Sequence, residues 1–541
     1  MHLDGYTSLA LLSQGGMSTV YRAHQQASGR TVAIKFLSAG YHLDQTDSDR
    51  FNDEWRVIAA LMHPNIVRVS DYGLSGDQPY FVMDYIEGRT LTVVAREEEV
   101  SLNTGLMLML QVSRGLAYAH RNGVIHRDIN PDNILVDGKG HVYIVDFGVA
   151  WLEAHGDDDA DTVIGAPDYL SPEQFNDPQH VGPLRDIYSL GVLMYQFFTR
   201  ANPGQRANPE DPALAGLPVG LVELLRQCLQ ADPARRPRSA GEVTLGLLRL
   251  LKGTHAPPNL KAEAAVALGP LAEAFDLLDV ISHNQYGSVY LFSERNGDGL
   301  MVAKKRMGSH AGLSQAQQLK VIGYKNIVRI LGVSSKRDTF VVIMEYLAGG
   351  SLRERLARAW SLEAFIPVAL QVCYAMQKAH EEGMVHGNLR PTNILFDEND
   401  VVKISDFGYN KHYIGHDKRD WYQPQSRLDA SIQRDIYSAG IIFYHMLTGE
   451  MPHVSFGLLV REGRLQTLDG SLQLLVTGMI EMQSANRFTS FREIIDVLNG
   501  LRLGVEPTPR ASAAAAGGWK RYLSYALLLA AAMGGVYLLM A

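Results

Sequence analysis

The sequence predicts an α+β protein with two bilobal units in tandem, followed by one C-terminal membrane-spanning helix. Three observations support this prediction. The motif His-x-x-x-x-Pro-x-Asn, followed by Asp-Phe-Gly, occurs twice, at 126–133 and at 386–393. Strand-like runs come before helical patterns within each copy, so a strand-rich small lobe should precede a helical large lobe. The run at 522–541 contains no charged residue.

The length of the chain and the repeated motif set the domain organisation. A chain of 541 residues exceeds what one hydrophobic core accommodates. We place the first unit at 1–252, a linker at 253–271 and the second unit at 272–503. The net charge of −8 gives no indication of nucleic acid as a partner. The two cysteines, one in each unit, predict neither a disulfide framework nor a metal cluster.

Local patterns predict the main elements of the first unit. The runs 31–35 and 80–84 are short and rich in β-branched or aromatic residues, which predicts strands. Residues 106–120 are amphipathic and predict a helix with one buried face. Residues 186–198 are apolar on almost every side but too few to cross a membrane, so they predict a buried helix of the large lobe.

The C-terminal tail predicts a membrane anchor. Residues 504–518 have the composition of a flexible linker. As a helix, 522–541 would be about 30 Å long, which matches the hydrocarbon core of a bilayer. Lys520 and Arg521 precede it, and positive charge on that side predicts that both units face the cytoplasm. The alternative is a buried terminal core helix, although such a helix normally has one polar face.

A glycine-containing loop and a strand-ending lysine suggest a phosphate site. Gly15 and Gly16, within 12–21, would let backbone amides approach phosphate oxygens, although a tight hairpin turn explains them equally well. Lys35 ends the next predicted strand, where a lysine is most often a solvated edge charge. Glu54 follows on a predicted helix, and an ion pair between the two would direct the ammonium group towards phosphates.

The first copy of the repeated motif contains the groups that phosphoryl transfer requires. Asp128 is suited to accept the proton of a substrate hydroxyl. Asn133 and Asp146 offer oxygen ligands to Mg²⁺, which neutralises charge on a transferred phosphoryl group. Each aspartate alone would be an ordinary turn residue. The ordered set of loop, lysine, glutamate and both aspartate motifs is not a chance combination.

On these motifs, residues 6–252 resemble a Ser/Thr protein kinase domain of the eukaryotic (Hanks) type, which also occurs in bacteria. The resemblance implies two bilobal protein-kinase folds in tandem, ATP and Mg²⁺ as cofactors, and protein substrates with Ser or Thr acceptors. It implies catalytic roles for Asp128, Lys35 and Glu54, and metal binding by Asn133 and Asp146. The nucleotide-binding residues that it implies are Leu12, Ser13, Gly15, Gly16, Val20, Ala33, Lys35, Met83, Asp84, Tyr85, Ile86 and Leu135.

The first unit departs from the family pattern at a few positions. Ser13 and Ser18 stand where the family has glycines. Asn130 and Ala166 replace a lysine and a threonine that contact each other in the family, so an active but slow enzyme is expected. Thr162 is the predicted phosphorylation site of the activation segment, where Arg127 would pair with the new phosphate. The resemblance also pairs Glu173 with Arg236.

The second unit resembles the same family more weakly and predicts a pseudokinase. Lys305, Asn393 and Asp406 match family positions, but Asn388 stands in place of the catalytic base. An amide cannot accept a proton at neutral pH. Residues 306–324 contain no acidic residue that could pair with Lys305. A regulatory or docking role, residual nucleotide binding and a folded relic all remain open for this unit.

We therefore predict a membrane-tethered Ser/Thr protein kinase whose first unit is catalytic, with regulation as one candidate role of the second unit. Its expected partners are protein substrates and the membrane, together with contact between the two units inside the chain. The alternative function is a nucleotide-binding pseudoenzyme scaffold that recruits partners to the membrane. Transfer of phosphate from ATP would distinguish the two.

Overall fold

The computed structural model describes residues 3–15, 18–37, 56–76, 78–97, 100–147, 167–176, 182–201, 212–307, 312–336, 339–408, 431–452, 454–455, 458–459, 466, 468–481 and 487–503. Among the helices in these ranges, none is long and apolar enough to span a bilayer. The predicted membrane helix and the flexible linker lie outside the described residues. The same holds for four predicted site residues, Gly16, Glu54, Thr162 and Ala166.

The small lobe of the first unit is an antiparallel sheet. Its strands are β1 (Tyr6–Gln14), β2 (Ser18–Gln25), β3 (Arg30–Leu37), β4 (Val69–Ser75) and β5 (Gln78–Asp84). They pair in the order β1-β2-β3-β5-β4. The predicted strands at 31–35 and 80–84 fall within β3 and β5. Because side chains alternate across a strand, Ile34 enters a core on the outer face, whereas Ala33 faces the large lobe.

The large lobe of the first unit is mainly helical. Its helices are α1 (Leu91–Glu97), α2 (Leu102–Arg121), α3 (Pro172–Asn176), α4 (Pro183–Thr199), α5 (Val219–Cys228) and α6 (Ala240–Leu251). A small sheet contains β6 (Gly88–Thr90), β7 (Ile134–Asp137) and β8 (Val142–Ile144). The Ser101 hydroxyl accepts a hydrogen bond from Thr104 N at 3.1 Å and so begins α2. The expected buried helix at 186–198 is α4, which is buried along most of its length.

Much of the predicted linker is helical. Pro258 occupies the first turn of α7 (Pro258–Leu268), where its missing N–H costs no hydrogen bond. Ala264 and Leu268 of this helix are buried together with Phe292 and Ala303. The helix thus covers the outer face of the second unit's sheet.

The second unit repeats the architecture of the first. Its sheet contains β9 (Phe275–Asn284), β10 (Gly287–Glu294), β11 (Leu300–Met307), β12 (Ile330–Lys336) and β13 (Thr339–Glu345), in the order β12-β13-β11-β10-β9. Later pairs are β14 (Ile394–Phe396) with β15 (Val402–Ile404), and β16 (Val454–Ser455) with β17 (Leu458–Leu459). Its helices are α8 (Leu313–Leu319), α9 (Leu362–Glu381), α10 (Ile432–Thr448), α11 (Gly470–Ile480) and α12 (Phe491–Arg502). The predicted succession of an antiparallel sheet and a helical lobe is confirmed.

Residues of the two units also contact each other. Leu278 and Leu291 of the second unit's sheet are buried in the same core as α2 and α6. Asp279 forms an ion pair with Arg114, and His255 Nε2 lies 3.1 Å from its Oδ1, within hydrogen-bonding distance. These contacts place the start of the second unit against the large lobe of the first.

The C-terminal end of α2 is the second contact between the units. Asn122, which is 2% exposed, donates from Nδ2 to Glu354 O at 2.6 Å and accepts at Oδ1 from Ala357 N at 3.2 Å. Arg121 forms an ion pair with the Glu354 carboxylate. The amide of a buried residue in one unit is therefore satisfied by the backbone of the other.

Candidate active site

Lys35 lies on the sheet face that looks towards the large lobe. It pairs with Val20 across β2 and with Phe81 across β5, and its side chain is 5% exposed. The ammonium Nζ lies 2.8 Å from Asp146 Oδ2. The structure therefore excludes the solvated edge charge that remained an alternative for this lysine. Its predicted partner Glu54 lies outside the described residues.

Several predicted nucleotide residues lie on the same sheet as Lys35. Ala33 pairs with Met83 across the sheet, and both side chains are buried. Leu12 is 47% exposed, as is usual for the rim of an open cleft. Gly15 N donates to Ser18 O at 2.9 Å, which joins the end of β1 to the start of β2.

The remaining predicted nucleotide residues come from three elements. Ser13 and Val20 pair across β1 and β2, Asp84 ends β5 with Tyr85 and Ile86 after it, and Leu135 lies on β7. The Tyr85 ring lies under the Arg22 guanidinium, 5.5 Å from ring centroid to Cζ. The described residues of the predicted nucleotide site thus lie on β1, β2, β3, β5 and β7 and on the segments after β1 and β5.

The catalytic loop is fixed by a buried carboxylate of α4. Asp186 accepts hydrogen bonds from His126 N at 2.8 Å and from Arg127 N at 2.9 Å. His120 Nε2 lies 2.8 Å from the same carboxylate. Burial alone would raise the pKa of Asp186, but these hydrogen bonds and the nearby histidines lower it below its usual value. Asp186 thus remains an anion that holds the backbone of the loop.

The predicted base and the first metal ligand are in contact. Asn133 Nδ2 donates to Asp128 Oδ2 and to Asp128 O, each at 2.8 Å. Because the amide donates through nitrogen, its oxygen is the atom that can serve as a ligand. Asp146, the second predicted ligand, has a φ of 66°, in the left-handed region that non-glycine residues seldom adopt. Such strain at a functional carboxylate requires support from the surrounding structure.

Asn130 occupies the family's lysine position but turns into the loop. Its Oδ1 accepts from Asp132 N at 3.0 Å and from Asn133 N at 3.2 Å, and the residue is 8% exposed. The side chain therefore caps the short turn at Pro131–Asn133. This structural role explains why an asparagine is well suited here, and it places no cation at that point of the loop.

Glu173 and Arg236 form the ion pair that the resemblance implied. Arg236 Nη1 and Nη2 donate to Glu173 Oε1 and Oε2, both at 2.7 Å. The Arg236 guanidinium also lies 4.9 Å from the centroid of the Tyr188 ring. Burial raises the pKa of Glu173, but the hydrogen bonds and charge of Arg236 outweigh burial and lower it. The pair joins α3 to the segment before α6.

In the second unit, the lysine of the cleft is Lys304 and not Lys305. Lys304 pairs with Val289 across β10, as Lys35 pairs with Val20, and its ammonium forms an ion pair with Asp406. Lys305 projects from the opposite side of β11 and pairs with Glu263 of α7 at 2.9 Å. Since neighbouring residues of a strand face opposite sides, the prediction was wrong by one position.

Asn388, the amide that replaces the catalytic base, lies in the loop that corresponds to the loop of Asp128. Asn393 Nδ2 donates to Asn388 O at 3.0 Å, the same backbone contact that Asn133 makes to Asp128. Asp406 has a φ of 63°, close to that of its counterpart Asp146. The second site thus keeps the backbone geometry of the first without its carboxylate base.

Arg306 is a site residue that the sequence analysis missed. Its Nη2 lies 3.2 Å from Asp406 Oδ1. The alternation of β11 was the available signal. Met301 and Ala303 are buried in the outer core, so Val302, Lys304 and Arg306 share the opposite face.

Comparison with known proteins identifies the family. The family model described as "protein kinase domain" matches residues 6–244 and 275–516. The chain belongs to the protein kinase family. Both units are therefore kinase units, and the resemblance inferred from the motifs is confirmed.

Individual relatives agree with this assignment. Serine/threonine-protein kinase pkn2 of Myxococcus xanthus is 35% identical over 265 residues, which cover 44% of this chain and 32% of that protein. Serine/threonine-protein kinase PknA of Mycobacterium tuberculosis is 34% identical over 292 residues, covering 49% of this chain and 68% of that one. The chain thus spans about a third of the length of the first relative.

One solved structure illustrates the same likeness. A point mutant of the Mycobacterium tuberculosis PknI kinase domain is 27% identical, with 46% of this chain and 96% of that chain covered. The TM-score is 0.39, too low to support a structural argument.

Proposed function

We propose that this chain is a membrane-tethered protein kinase that transfers the γ-phosphate of ATP to Ser or Thr residues of proteins. The first kinase unit carries out the transfer, and the second regulates it. The proposal is supported by the contact of Asn133 with Asp128, the ion pair of Lys35 with Asp146, and the hydrogen bond from Val145 N to Asn133 O that brings the two pairs together. In the second unit, Asn388 stands at the position of the base Asp128 and cannot replace it.

The residues of the first kinase unit have complementary roles in the transfer. Asp128 orients the substrate hydroxyl and accepts its proton while the hydroxyl oxygen bonds to the γ-phosphorus and the bond to the β-phosphate oxygen breaks. Lys35 holds the phosphates of the nucleotide. The carboxylate of Asp146 and the amide oxygen of Asn133 suit Mg²⁺, which prefers oxygen ligands. When bound, Mg²⁺ neutralises charge that develops on the phosphates.

Substitution of Asp128 tests the assignment of the catalytic unit. Full-length Asp128→Asn should lose protein phosphorylation by about 10²-fold or more, because the amide cannot accept the proton. ATP binding should persist, since the amide is close in size and Asp146 and Lys35 are unchanged. Label transfer from γ-labelled ATP measures the first effect, and equilibrium ATP binding measures the second.

The matched control is Asn388→Ala in the second kinase unit. This variant should keep phosphorylation activity, because no proton transfer is assigned to Asn388. Normal activity in Asp128→Asn, or loss of activity in Asn388→Ala, would contradict the assignment of catalysis to the first unit.

A scaffold without transferase activity is the second candidate, and the position of Asn130 favours it. The side chain caps a turn instead of presenting a charge to the γ-phosphate. Loss of a charged transition-state donor costs about 10²–10³ in rate, which could leave binding without useful catalysis. Absence of any label transfer by the unaltered full-length chain would favour the scaffold.

Membrane tethering and regulation rest on separate features of the chain. The uncharged run at 522–541, preceded by Lys520 and Arg521, supports a C-terminal anchor with both kinase units in the cytoplasm. Regulation by the second unit is supported by the bonds of Asn122 and Arg121 to Glu354. These residues lie immediately before the catalytic loop, so a shift of one unit reaches the loop of the other.

A further inference from the structure

Two cations of β11 hold the aspartate that would bind metal in the second kinase unit. Asp406 receives the Lys304 ammonium on Oδ2 and the Arg306 guanidinium on Oδ1, the latter at 3.2 Å. In the first unit, Asp146 receives Lys35. Leu37 stands at the position of Arg306, because Ser18 pairs with Leu37 as Gly287 pairs with Arg306. The second cation on Asp406 thus distinguishes the two sites.

Mg²⁺ does not fit the second site. Each oxygen of Asp406 is already bonded to a cation, and Asn388 replaces the neighbouring carboxylate. Burial raises the pKa of Asp406, but Lys304 and Arg306 lower it far more, so the carboxylate stays charged and paired. A divalent cation would have to displace one positive group while remaining close to it.

The cleft in front of this aspartate is large and carries a positive balance. It measures about 790 Å³ and is lined by the turn between β9 and β10, by β11 and by the loop at 388–393. Among the described residues that line it, Lys304, Arg306 and Arg390 are cationic and Asp406 is the acidic one. Lys305 at its edge is matched by Glu263. In the first unit, Lys35 forms an ion pair with Asp146, and the carboxylate of Asp128 stands where the second unit has the amide of Asn388.

The part of the second cleft that corresponds to the nucleobase end of a kinase nucleotide site differs from that of the first unit. Val302 stands at the position of Ala33, since it pairs with Met344 as Ala33 pairs with Met83. Val302 and Tyr346 pack against the core of the first kinase unit. The open volume therefore lies at the phosphate end of the cleft, where the arginines and the lysine are.

We propose that the second kinase unit binds the phosphates of a polyphosphate-bearing anion without a divalent cation. Arg306 and Arg390 contact the phosphate oxygens, and Lys304 stays on Asp406 to balance its charge. Guanidinium groups suit this role, because their planar array of donors matches phosphate oxygens. The two arginines would recognise a chain of phosphates. Such a chain is present in both a nucleoside triphosphate and an inorganic polyphosphate.

Binding of inorganic tripolyphosphate to the full-length protein in EDTA tests the proposal. Calorimetric titration should detect one site whose affinity falls as the salt concentration rises. Arg306→Leu, which installs the residue of the first unit, should weaken binding by about tenfold or more. Lys320→Ala removes an exposed cation from the same lobe and should leave affinity unchanged. Lys35→Met should also leave it unchanged, which separates this site from the first unit.

A second variant and a comparison of ligands complete the experiment. Arg390→Asn, which also installs the residue of the first unit, should weaken binding as well. It provides the test should the Arg306→Leu variant not fold. Tighter binding of ATP than of tripolyphosphate would identify a nucleotide as the preferred form of the anion, whereas equal binding would identify the phosphate chain alone. Adenosine should not compete.

The proposal is overturned by binding that requires Mg²⁺, by absence of binding in EDTA, or by binding that Lys35→Met abolishes. Folded Arg306→Leu and Arg390→Asn variants with full affinity would overturn it equally. None of these results depends on phosphoryl transfer, so failure here leaves the assignment of catalysis to the first unit unaffected.

Discussion

At the scale of single residues, buried charges organise both kinase units. Asp186 in the first unit and Asp435 in the second each accept two backbone amides from the loop that follows the conserved histidine. Gly387, at the position of Arg127, has a φ of 70° where Arg127 has 73°. A glycine adopts a positive φ without steric strain, so the loop of the second unit keeps this backbone conformation at a lower conformational energy than the loop of the first.

Loss of Arg236 should destabilise the first kinase unit. Arg236→Met leaves Glu173 without its bidentate partner, and breaking a buried ion pair from one side costs about 3–5 kcal/mol. Urea denaturation monitored on the first unit measures the change. Arg235→Met is the control, because Arg235 is exposed, and a change within about 0.5 kcal/mol is expected. Equal effects of the two substitutions would disprove the role of the pair.

The same pair predicts a pH dependence. The pKa of Glu173 in the folded protein lies below its ordinary value of 4.5, so the unfolded chain binds this proton more readily. The ionised Glu173 carboxylate therefore contributes fully to the free energy of unfolding when the pH is above 4.5. This contribution is lost as the pH falls through the lowered pKa of Glu173 in the folded protein. Glu173→Gln should reduce the loss of stability between neutral and acidic pH. An unchanged pH profile in denaturation would refute this prediction.

At the scale of elements, helix α2 connects the second kinase unit to the catalytic loop. Its C-terminal residues Arg121 and Asn122 bond to Glu354, while His120 contacts the carboxylate that fixes the loop. Arg114, nearer the middle, pairs with Asp279. The same helix thus contacts the second unit at two points and supports the loop of the first.

Asn122→Ala should loosen the contact between the units. The substitution leaves Glu354 O and Ala357 N without this partner, at a cost of about 1–3 kcal/mol. Hydrogen exchange should quicken in the segment 354–358. Ser101→Ala removes the cap at the opposite end of the same helix and should leave that segment protected. Identical exchange of 354–358 in the native protein and the Asn122→Ala variant would contradict the contact.

At the scale of the whole molecule, two kinase units of different chemistry share one chain. The first combines carboxylates suited to Mg²⁺, whereas the second places two cations on its remaining aspartate. The helix α7 joins them and covers the second sheet, so the connection is itself part of the second unit's core.

Truncation of the tail tests the proposed anchor. A chain ending at Gly518 lacks the uncharged run and should move from the membrane fraction to the soluble fraction. Its activity on a soluble peptide should be unchanged, whereas phosphorylation of membrane-bound targets should fall because tethering raises their effective concentration. Fractionation with protease protection is the measurement. Native protein in the soluble fraction, or kinase units protected on the far side of the membrane, would disprove the anchor.

The sequence by itself determined the order of strands and helices, the repeated kinase architecture and the change from Asp128 to Asn388. These features depend on local patterning and on motif positions, which are readable along the chain. The pairing of Glu173 with Arg236 was likewise predictable, because the family resemblance supplied both partners.

Only the tertiary structure decided which lysine of the second unit faces the cleft. Lys304 and Lys305 are neighbours with the same chemistry, and a shift of one residue exchanges the two faces of a strand. The register against β10, fixed by burial of Met301 and Ala303 on the outer face, selects Lys304. The bonds of Asn122 to Glu354 and Ala357 could not be predicted either, because they join residues far apart in the sequence and depend on how the two units pack against each other.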